Sequence, residues 1–276
     1  MFPCNNTAHT EPYLKSLSMK SLSYFLITLS FLICFNGHSQ KTREWYELKV
    51  YKLKSVEQEK TTETFLRDAY LPALHRAGLK NIGVFKPIET DSTFGKRIYV
   101  LIVYPSLKQF SDTPTSLNTD TKFLEQGKEY LAAPHDKPPF NRIESALLQA
   151  FALAPIFKMP KLTAQRNERI YELRSYEGPT EKKNENKIKM FNEGGEIDLF
   201  ASLNFNAVFY GEVAAGSNMP NLMYMTAFEN MTARDDHWKA FFASAQWEKL
   251  KADPQYQNNV SHADITLLRP TAYSDY

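Results

Sequence analysis

The hexapeptide Tyr-Glu-Leu-Arg-Ser-Tyr at residues 171–176 decides the fold, because a second copy, Tyr-Glu-Leu-Lys-Val-Tyr, occupies residues 46–51. The copies lie 171 − 46 = 125 positions apart, and four of their six residues are identical. Lys49 stands where the second copy has Arg174, so the positive charge is retained. Each copy alternates as a strand does and is followed by a polar turn and a helical pattern. The sequence therefore predicts a duplicated unit that begins with a strand.

The composition is that of a globular protein. Of the 276 residues, 43% are hydrophobic, which is sufficient for a substantial core. The 33 basic and 31 acidic residues nearly balance, at a net charge of +2. Since no basic run or stripe stands out, the charge pattern disfavours a nucleic-acid partner.

The N-terminal segment reads as a secretory signal. Residues 22–35 are almost wholly apolar and follow Lys20, and Gly37 and Ser39 satisfy the small-residue rule for cleavage. We predict a signal peptide at residues 1–39, cut between Ser39 and Gln40, and a periplasmic or secreted protein that leaves the membrane after cleavage. The apolar run is shorter than the ~20 residues that a spanning helix needs. An uncleaved anchor remains the alternative.

Both cysteines, Cys4 and Cys34, lie within this predicted signal. The mature chain would therefore have no disulfide and no thiol chemistry. Ile33 precedes Cys34, which disfavours a lipoprotein, because that class needs a small residue there. Met19 begins a more ordinary signal than Met1, so the true start is left open. Without residues 1–39 the chain would hold 31 basic and 30 acidic residues, a net charge of +1.

The first repeat is predicted at residues 41–151. Residues 45–52 form its first strand, and Ser55 with Gln58 form a capping box that starts a helix. Pro72 should kink that helix and Gly78 should end it. The remaining predicted elements are a strand at 81–89, a central strand at 97–104, a loop at 106–120 carrying Pro114, a helix at 121–132 and a strand at 143–151. This β-α-β-β-α-β order is that of a ferredoxin-like unit.

A proline-containing linker at residues 152–167 leads to the second repeat, predicted at residues 168–271. The predicted elements are a strand at 170–175, a helix at 181–200 interrupted at Gly194-Gly195, strands at 206–212 and 222–228, a helix begun by Thr232 and Asp235 and stopped at Asp253-Pro254, and a strand at 262–268. The offset between the repeats places Tyr224 opposite Tyr99. The order of elements is the same as in the first repeat.

Two tandem ferredoxin-like units predict an α+β fold in which one chain forms a pseudo-dimeric α+β barrel. Each unit covers one sheet face with helices and leaves the other face for its partner. In the hexapeptide, alternation separates a Tyr/Leu face from a face that carries the charges. We expect the Tyr/Leu face to meet the helices and the charged face to point into the space between the sheets.

Two segments of the second repeat, residues 171–176 and residues 231–241 with Trp247, have a recognisable pattern. The first is similar to the opening of the NIPSNAP domain, and the second resembles that family's second helix. The first repeat resembles the family more weakly, at residues 46–51 and 81–85, and lacks the arginine and tryptophan of that helix. The resemblance implies a dimeric α+β barrel fold. It assigns no catalytic residue, because the family has no established common ones.

Nine side chains are candidates for ligand binding. They are the charged faces of the two hexapeptides and a cluster on the second helix: Glu47, Lys49, Tyr51, Glu172, Arg174, Tyr176, Arg234, His237 and Trp238. The alternative for the hexapeptides is a structural network of ion pairs, because an unpaired interior charge is costly. The alternative for the helix is packing, with Trp238 in the core and Arg234 and His237 solvated.

No cofactor or metal is predicted. The histidines outside the signal are dispersed and lack a spacing such as H-x-x-x-H: His75, His135, His237 and His262. Phosphate-loop, dinucleotide and G-x-S-x-G motifs are also missing from the sequence. Gly194-Gly195 is therefore interpreted as a bend.

Two functions follow. The first is a non-catalytic module that binds a small molecule or a protein; homo-oligomerisation is left open. The second is an enzyme of the cofactor-free monooxygenase or isomerase kind, in which Tyr51, Tyr176 or Arg174 would polarise a substrate in the inter-sheet cavity. Only analogy of fold supports the second function.

Overall fold

The computed structural model describes residues 42–276. The predicted signal peptide and its cleavage site lie outside these residues. Within the described part of the chain, no helix is long and apolar enough to cross a membrane.

Eight strands form a closed antiparallel barrel. Their bounds are β1 Trp45–Lys52, β2 Gly83–Pro87, β3 Arg97–Tyr104, β4 Arg142–Ala150, β5 Ile170–Glu177, β6 Phe209–Ala215, β7 Asn221–Phe228 and β8 His262–Pro270. Around the barrel they follow the order β1-β3-β2-β8-β5-β7-β6-β4. The order 4-1-3-2 holds within β1–β4 and again within β5–β8, and the pairs β2–β8 and β4–β6 join the two halves. The fold is thus a mixed α+β fold built on an antiparallel barrel.

Nine α-helices accompany the strands in residues 42–276. They are α1 Val56–Phe65, α2 Leu71–Arg76, α3 Leu107–Thr119, α4 Thr121–Gln126, α5 Lys128–Leu131, α6 Glu181–Asn192, α7 Glu196–Ser202, α8 Met231–Ala243 and α9 Ala245–Ala252. A π turn, Leu66–Tyr70, joins α1 to α2, and a 3₁₀ turn, Pro254–Tyr256, follows α9. The described connector at residues 151–169 holds only an isolated bridge between Phe151 and Ala154.

Local chemistry explains where the first helices begin and bend. The Ser55 hydroxyl accepts from the Gln58 amide, which confirms the predicted cap, while Gln58 Oε1 accepts from the Lys54 amide at 2.8 Å rather than from that of Ser55. The π turn ends at Tyr70, two residues before Pro72, which cannot donate an amide hydrogen and crowds the preceding turn. Gly194-Gly195 separates α6 from α7, as predicted, with Gly195 at a left-handed φ of 83°.

The loop predicted at residues 106–120 is wrong, because this segment is helix α3. The Ser106 hydroxyl caps it by accepting from the Gln109 amide at 3.2 Å. Thr113 and Leu117 are buried at helical spacing, and this packing outweighs the donor that Pro114 removes. Helical periodicity was the correct signal here, and the proline was given too much weight.

Two further helix predictions need correction. The start proposed at Thr232 and Asp235 is wrong, since the Asn230 side chain caps α8 by accepting from the Ala233 amide at 2.9 Å. An asparagine two residues earlier satisfies the same orphan donor. The single helix predicted at 121–132 is divided at Gly127 into α4 and α5.

The buried side chains form three clusters, one inside the barrel and one under the helices of each half. Tyr46 and Leu48 of β1 and Tyr171 and Leu173 of β5 belong to the interior cluster, whose other members come from strands, the connector and the C-terminal segment. The predicted orientation of the hexapeptides is therefore wrong: the Tyr/Leu face points inward and the charged face meets the helices. The interior cluster is apolar because side chains from all strands meet there, whereas the helix layer supplies donors for the charged groups of the hexapeptides.

The two halves differ in register at their third strands. Trp45 pairs with Tyr104 in the first half and Ile170 pairs with Phe228 in the second, so the offset falls from 125 on β1/β5 to 228 − 104 = 124 on β3/β7. The predicted equivalence of Tyr224 with Tyr99 is thus wrong by one residue. Because a one-residue shift exchanges strand faces, Tyr99 lies inside the barrel and Tyr224 lies under the helices.

Candidate functional site

The centre of the second half is Glu172, whose side chain is fully buried. Its Oε1 accepts from Arg174 Nε at 2.5 Å, and its Oε2 accepts from Arg234 Nε at 2.6 Å and from Trp238 Nε1 at 2.9 Å. β5 supplies Glu172 and Arg174 two residues apart on one face, while α8 supplies Arg234 and Trp238 one turn apart. One carboxylate thus joins the sheet to the helix through three donors.

Arg174 extends this network towards a phenol pair. Its guanidinium carbon lies 3.7 Å from the centroid of Trp238, a cation–π contact, and its Nη1 donates to the Tyr176 hydroxyl at 2.9 Å. The Tyr176 and Tyr224 hydroxyls are 3.0 Å apart. Burial lowers the pKa of the guanidinium, whereas the Tyr224 and Tyr176 hydroxyls and Glu172 raise it, and the net shift is upward. The cation is therefore permanent and held in one orientation.

A pocket of about 250 Å³ opens beside this guanidinium, between the outer face of β5, β7 and β8 and helices α6, α7, α8 and α9. Its walls are mainly aromatic and aliphatic: Tyr176, Tyr224, Trp238, Phe241, Phe242, Trp247, Val260, Ala263 and Ile265. The charged residues that line it are Arg174, Lys187 and Glu196. We call this space the Arg174 pocket.

Lys187 and Glu196 form a second buried ion pair in the Arg174 pocket. Their Nζ and Oε2 atoms are 2.8 Å apart, and both residues are less than 10% exposed. Lys187 Nζ also lies 4.7 Å from the centroid of Phe191. This pair was not predicted from the sequence. The signal was a lysine within the buried stripe of α6, three and four residues before Met190 and Phe191.

The first half has a related but weaker arrangement. Glu47 accepts from the Tyr104 hydroxyl at 3.1 Å and from Ser145 Oγ at 2.8 Å. Lys49 Nζ is 3.8 Å from Glu47 and donates to the Tyr70 hydroxyl at 3.3 Å. With the offset of 124 on the helix, Phe110 and Pro114 occupy the positions of Arg234 and Trp238. The first half therefore lacks the arginine and indole that bind Glu172.

The remaining first-half candidate, Tyr51, is 2% exposed and packs edge-on against Phe140 at 6.1 Å. Burial raises the pKa of Tyr51 well above the ordinary value, and the nearby Tyr70 and Tyr130 raise it further. Tyr51, Tyr176 and Arg174 all lie on the outer face of the barrel, in contact with helices. The interpretation that they act in the inter-sheet cavity is therefore wrong.

His237 does not join the Glu172 network. Its Nδ1 is 2.5 Å from the Ala233 carbonyl oxygen, and its ring packs edge-on against Phe205 and Phe228 at centroid distances of 5.7 and 5.6 Å. The structure thus separates the predicted helix cluster into two parts. Arg234 and Trp238 belong to the network. His237 instead contacts the backbone of its own helix, α8, and the rings of Phe205 and Phe228.

The barrel interior is filled at one end and open at the other. Tyr46, Phe85, Tyr171, Phe209 and Tyr276 pack together at the filled end. The open end is a pocket of about 420 Å³ lined by residues that include Lys52, Arg97, Tyr99, Glu144, Ser175 and Asp264. We call this second space the mouth pocket.

Comparison with protein families gives a match for the second half of the chain. Residues 171–275 match the NIPSNAP family. This part of the chain is a NIPSNAP domain. The NIPSNAP domain contains Glu172, Arg174, Arg234 and Trp238, together with the whole Arg174 pocket. No curated protein matches the chain.

Solved structures show the same fold over most of the chain. A provisionally named monooxygenase from Lactobacillus acidophilus NCFM has a TM-score of 0.54 at 10% identity and covers 83% of this chain and 94% of its own. A second provisionally named monooxygenase, from Fusobacterium nucleatum, has a TM-score of 0.55 at 10% identity, covering 83% and 93%. A NIPSNAP family protein from Agrobacterium tumefaciens is 19% identical, with a TM-score of 0.35, covering 42% and 98%. The likeness to the first two structures concerns the fold alone.

Proposed function

We propose that this protein binds a small molecule with an apolar or aromatic body and one anionic group in the Arg174 pocket of its NIPSNAP domain. The observation that carries the proposal is the stack of the Arg174 guanidinium on Trp238 at the wall of an otherwise apolar pocket. A few convergent polar groups in an apolar cavity are typical of ligand sites. Arginine is suited to a carboxylate because it presents several donors in a fixed plane.

The charges that face the pocket favour an anion. Two cations, Arg174 and Lys187, and one carboxylate, Glu196, line it. Glu172 holds Arg174 from the side away from the pocket through Nε, and Tyr176 occupies Nη1. Among residues 42–276 no hydrogen bond engages Nη2, so this nitrogen is the one that would meet a ligand. Because the Glu172 network fixes the side chain before binding, little rotamer freedom would be lost on binding.

The rim of the pocket explains how a ligand would enter. Phe242, Ile265 and Val260 are 52%, 47% and 38% exposed, which is unusual for large apolar side chains grouped at one place. A ligand with an apolar body would cover them. The proposed ligand thus satisfies both the cation within the pocket and the apolar rim around it.

We further propose that the two halves are a fused counterpart of a dimeric α+β barrel and that the protein is exported after cleavage between Ser39 and Gln40. The repeated 4-1-3-2 strand order and the two junction pairs support the fused dimer. The charge and hydropathy pattern of residues 20–39 supports export.

Calorimetric titration with benzoate and its neutral analogue benzamide tests the binding proposal. Benzoate should bind more tightly, because only its carboxylate pairs with Arg174. Ala263→Phe, which fills the pocket from β8, should weaken benzoate binding at least about tenfold. Ile143→Phe is the matched control, because Ile143 pairs with Tyr51 as Ala263 pairs with Tyr176.

The control variant should bind benzoate as the unmodified protein does. Equal affinity for benzoate and benzamide would overturn the assignment of an anionic ligand. Undiminished binding by Ala263→Phe would overturn the location, and no binding of either probe at millimolar concentration would overturn the proposal for this ligand class. Mass spectrometry of molecules that co-purify with the protein would then identify the natural ligand.

A further inference from the structure

The mouth pocket has walls of unlike chemistry. The β1, β3 and β4 wall carries Lys52, Arg97 and Glu144, and Lys52 forms an ion pair with Glu144. The opposite wall, from β5 and β8, contributes Ser175 and Asp264. The end of this second wall brings together side chains that the proposed function does not use.

Three of them, Glu177, His262 and Asp264, converge at the end of β5 and β8. Glu177 pairs with His262 in the strand register, and Asp264 lies two residues along the same strand, so all three side chains share one face. His262 Nε2 is 3.2 Å from Asp264 Oδ1. One ligand atom from each residue lies within 4.8 Å of the other two.

The backbone that carries these residues is held in place. The Ser261 amide and the Ser261 hydroxyl both donate to the Glu177 carbonyl oxygen, at 2.8 and 3.0 Å. These bonds fix the start of β8 against the end of β5. The spacing of the three side chains therefore follows from paired strands rather than from a loop.

The corresponding positions of the first half have different chemistry. Lys52 matches Glu177 at the offset of 125, and the strand pairing places Arg142 and Glu144 at the positions of His262 and Asp264. These positions hold two cations and one carboxylate, of which Lys52 and Glu144 form an ion pair. Two carboxylates and an imidazole at the same positions are, in contrast, oxygen and nitrogen donors of the kind that bind divalent transition metals.

We propose that Glu177, His262 and Asp264 form a site for a divalent transition-metal ion at the rim of the mouth pocket. Ligand atoms ~2.1 Å from a tetrahedral ion lie ~3.4 Å apart, so a separation of at most 4.8 Å would have to close by up to ~1.4 Å. His262 and Asp264 are 58% and 59% exposed, and rotation about their side-chain bonds provides that movement. The ion would keep open positions, because the protein supplies three ligands.

This site is separate from the proposed function. Its three side chains lie on the mouth side of β5 and β8, whereas Arg174 and Ala263 lie on the side that faces the helices. The spacing H-x-D in a strand was the signal in the sequence, since alternate strand residues share a face. A helical spacing such as H-x-x-x-H, on which the prediction of no metal rested, does not indicate a site of this kind on a strand.

Titration of the full chain, purified without a polyhistidine tag, with Zn²⁺ and Co²⁺ tests the site. One equivalent of Zn²⁺ should bind, and Co²⁺ should give the visible absorption of a nitrogen- and oxygen-ligated ion. Mn²⁺ should bind more weakly than Co²⁺. His262→Ala and Asp264→Asn should each lower Zn²⁺ affinity at least about tenfold. His135→Ala, which removes an exposed histidine elsewhere, should leave the affinity unchanged.

Metal binding that persists in His262→Ala, or that falls equally in His135→Ala, would overturn the assignment to these residues. Absence of saturable binding at millimolar Zn²⁺ would show that His262 and Asp264 form only an ion pair, which also overturns it. The three substituted side chains are exposed, so circular dichroism should show that each variant folds as the unmodified protein does. Benzoate binding in the same variants should be unaffected, which keeps the two proposals distinguishable.

Discussion

Removal of the Glu172 charge should destabilise the protein far more than the same change at Glu47. Glu172→Gln keeps the shape of the side chain but leaves Arg174, whose side chain is 10% exposed, without its counter-ion. Breaking one partner of a buried ion pair costs about 3–5 kcal/mol. At about 2–4 °C per kcal/mol for a chain of this size, the melting temperature should fall by roughly 6–20 °C.

Glu47→Gln is the matched control. Its carboxylate accepts from two hydroxyls and lies 3.8 Å from Lys49, which is 21% exposed. A glutamine oxygen can still accept from one hydroxyl, and the glutamine NH2 can donate to the other after that hydroxyl rotates, so the loss should be about 1 kcal/mol. Both losses are measured by urea unfolding followed by circular dichroism.

Two further measurements separate the causes. The loss in Glu172→Gln should persist at high salt, because buried pairs are screened much less than exposed ones. Combining Glu172→Leu with Arg174→Met should recover part of the stability, since an apolar pair removes the unpaired charge. Equal losses for Glu172→Gln and Glu47→Gln, or a loss below about 1 kcal/mol at Glu172, would refute this reasoning.

Two other predictions concern packing and pH. Gly83→Ala should cost about 1–3 kcal/mol in urea unfolding, because the added Cβ would lie 2.5 Å from the Tyr276 hydroxyl. Gly95→Ala is the comparison, since its Cβ would meet no atom within 4 Å. Its cost should be about 1 kcal/mol, because Gly95 has a φ of +68°. Equal costs would argue against a close approach at Gly83. Burial raises the pKa of Tyr51 and Tyr224 well above the ordinary value of about 10. The unfolded chain therefore releases these protons first, so these two tyrosines should lower the free energy of unfolding above about pH 10 and contribute no pH dependence below about pH 9. Phenolate absorbance should rise together with unfolding; complete ionisation of a folded protein would contradict the prediction.

The elements of the fold were largely predictable because their signals are local. Alternation located β1 and β3 to the residue, and the capping box and the glycine pair located the helix start and the break between α6 and α7. The repeat of the hexapeptide predicted the repeated order of elements. The failures at α3 and α8 are also local, since a proline and a capping asparagine were misjudged.

The candidate site was predictable in its residues but not in its place. Sequence alone determined that Glu172, Arg174 and Tyr176 share a strand face, because alternation is a property of one strand. It did not determine which face lies inside, since both faces of a barrel sheet are buried and apolar content no longer separates them. That choice, the pairing of Lys187 with Glu196 and the meeting of Glu177 with His262 depend on contacts between distant segments. Tertiary structure decided them, because only closure of the barrel and docking of the helices bring those segments together.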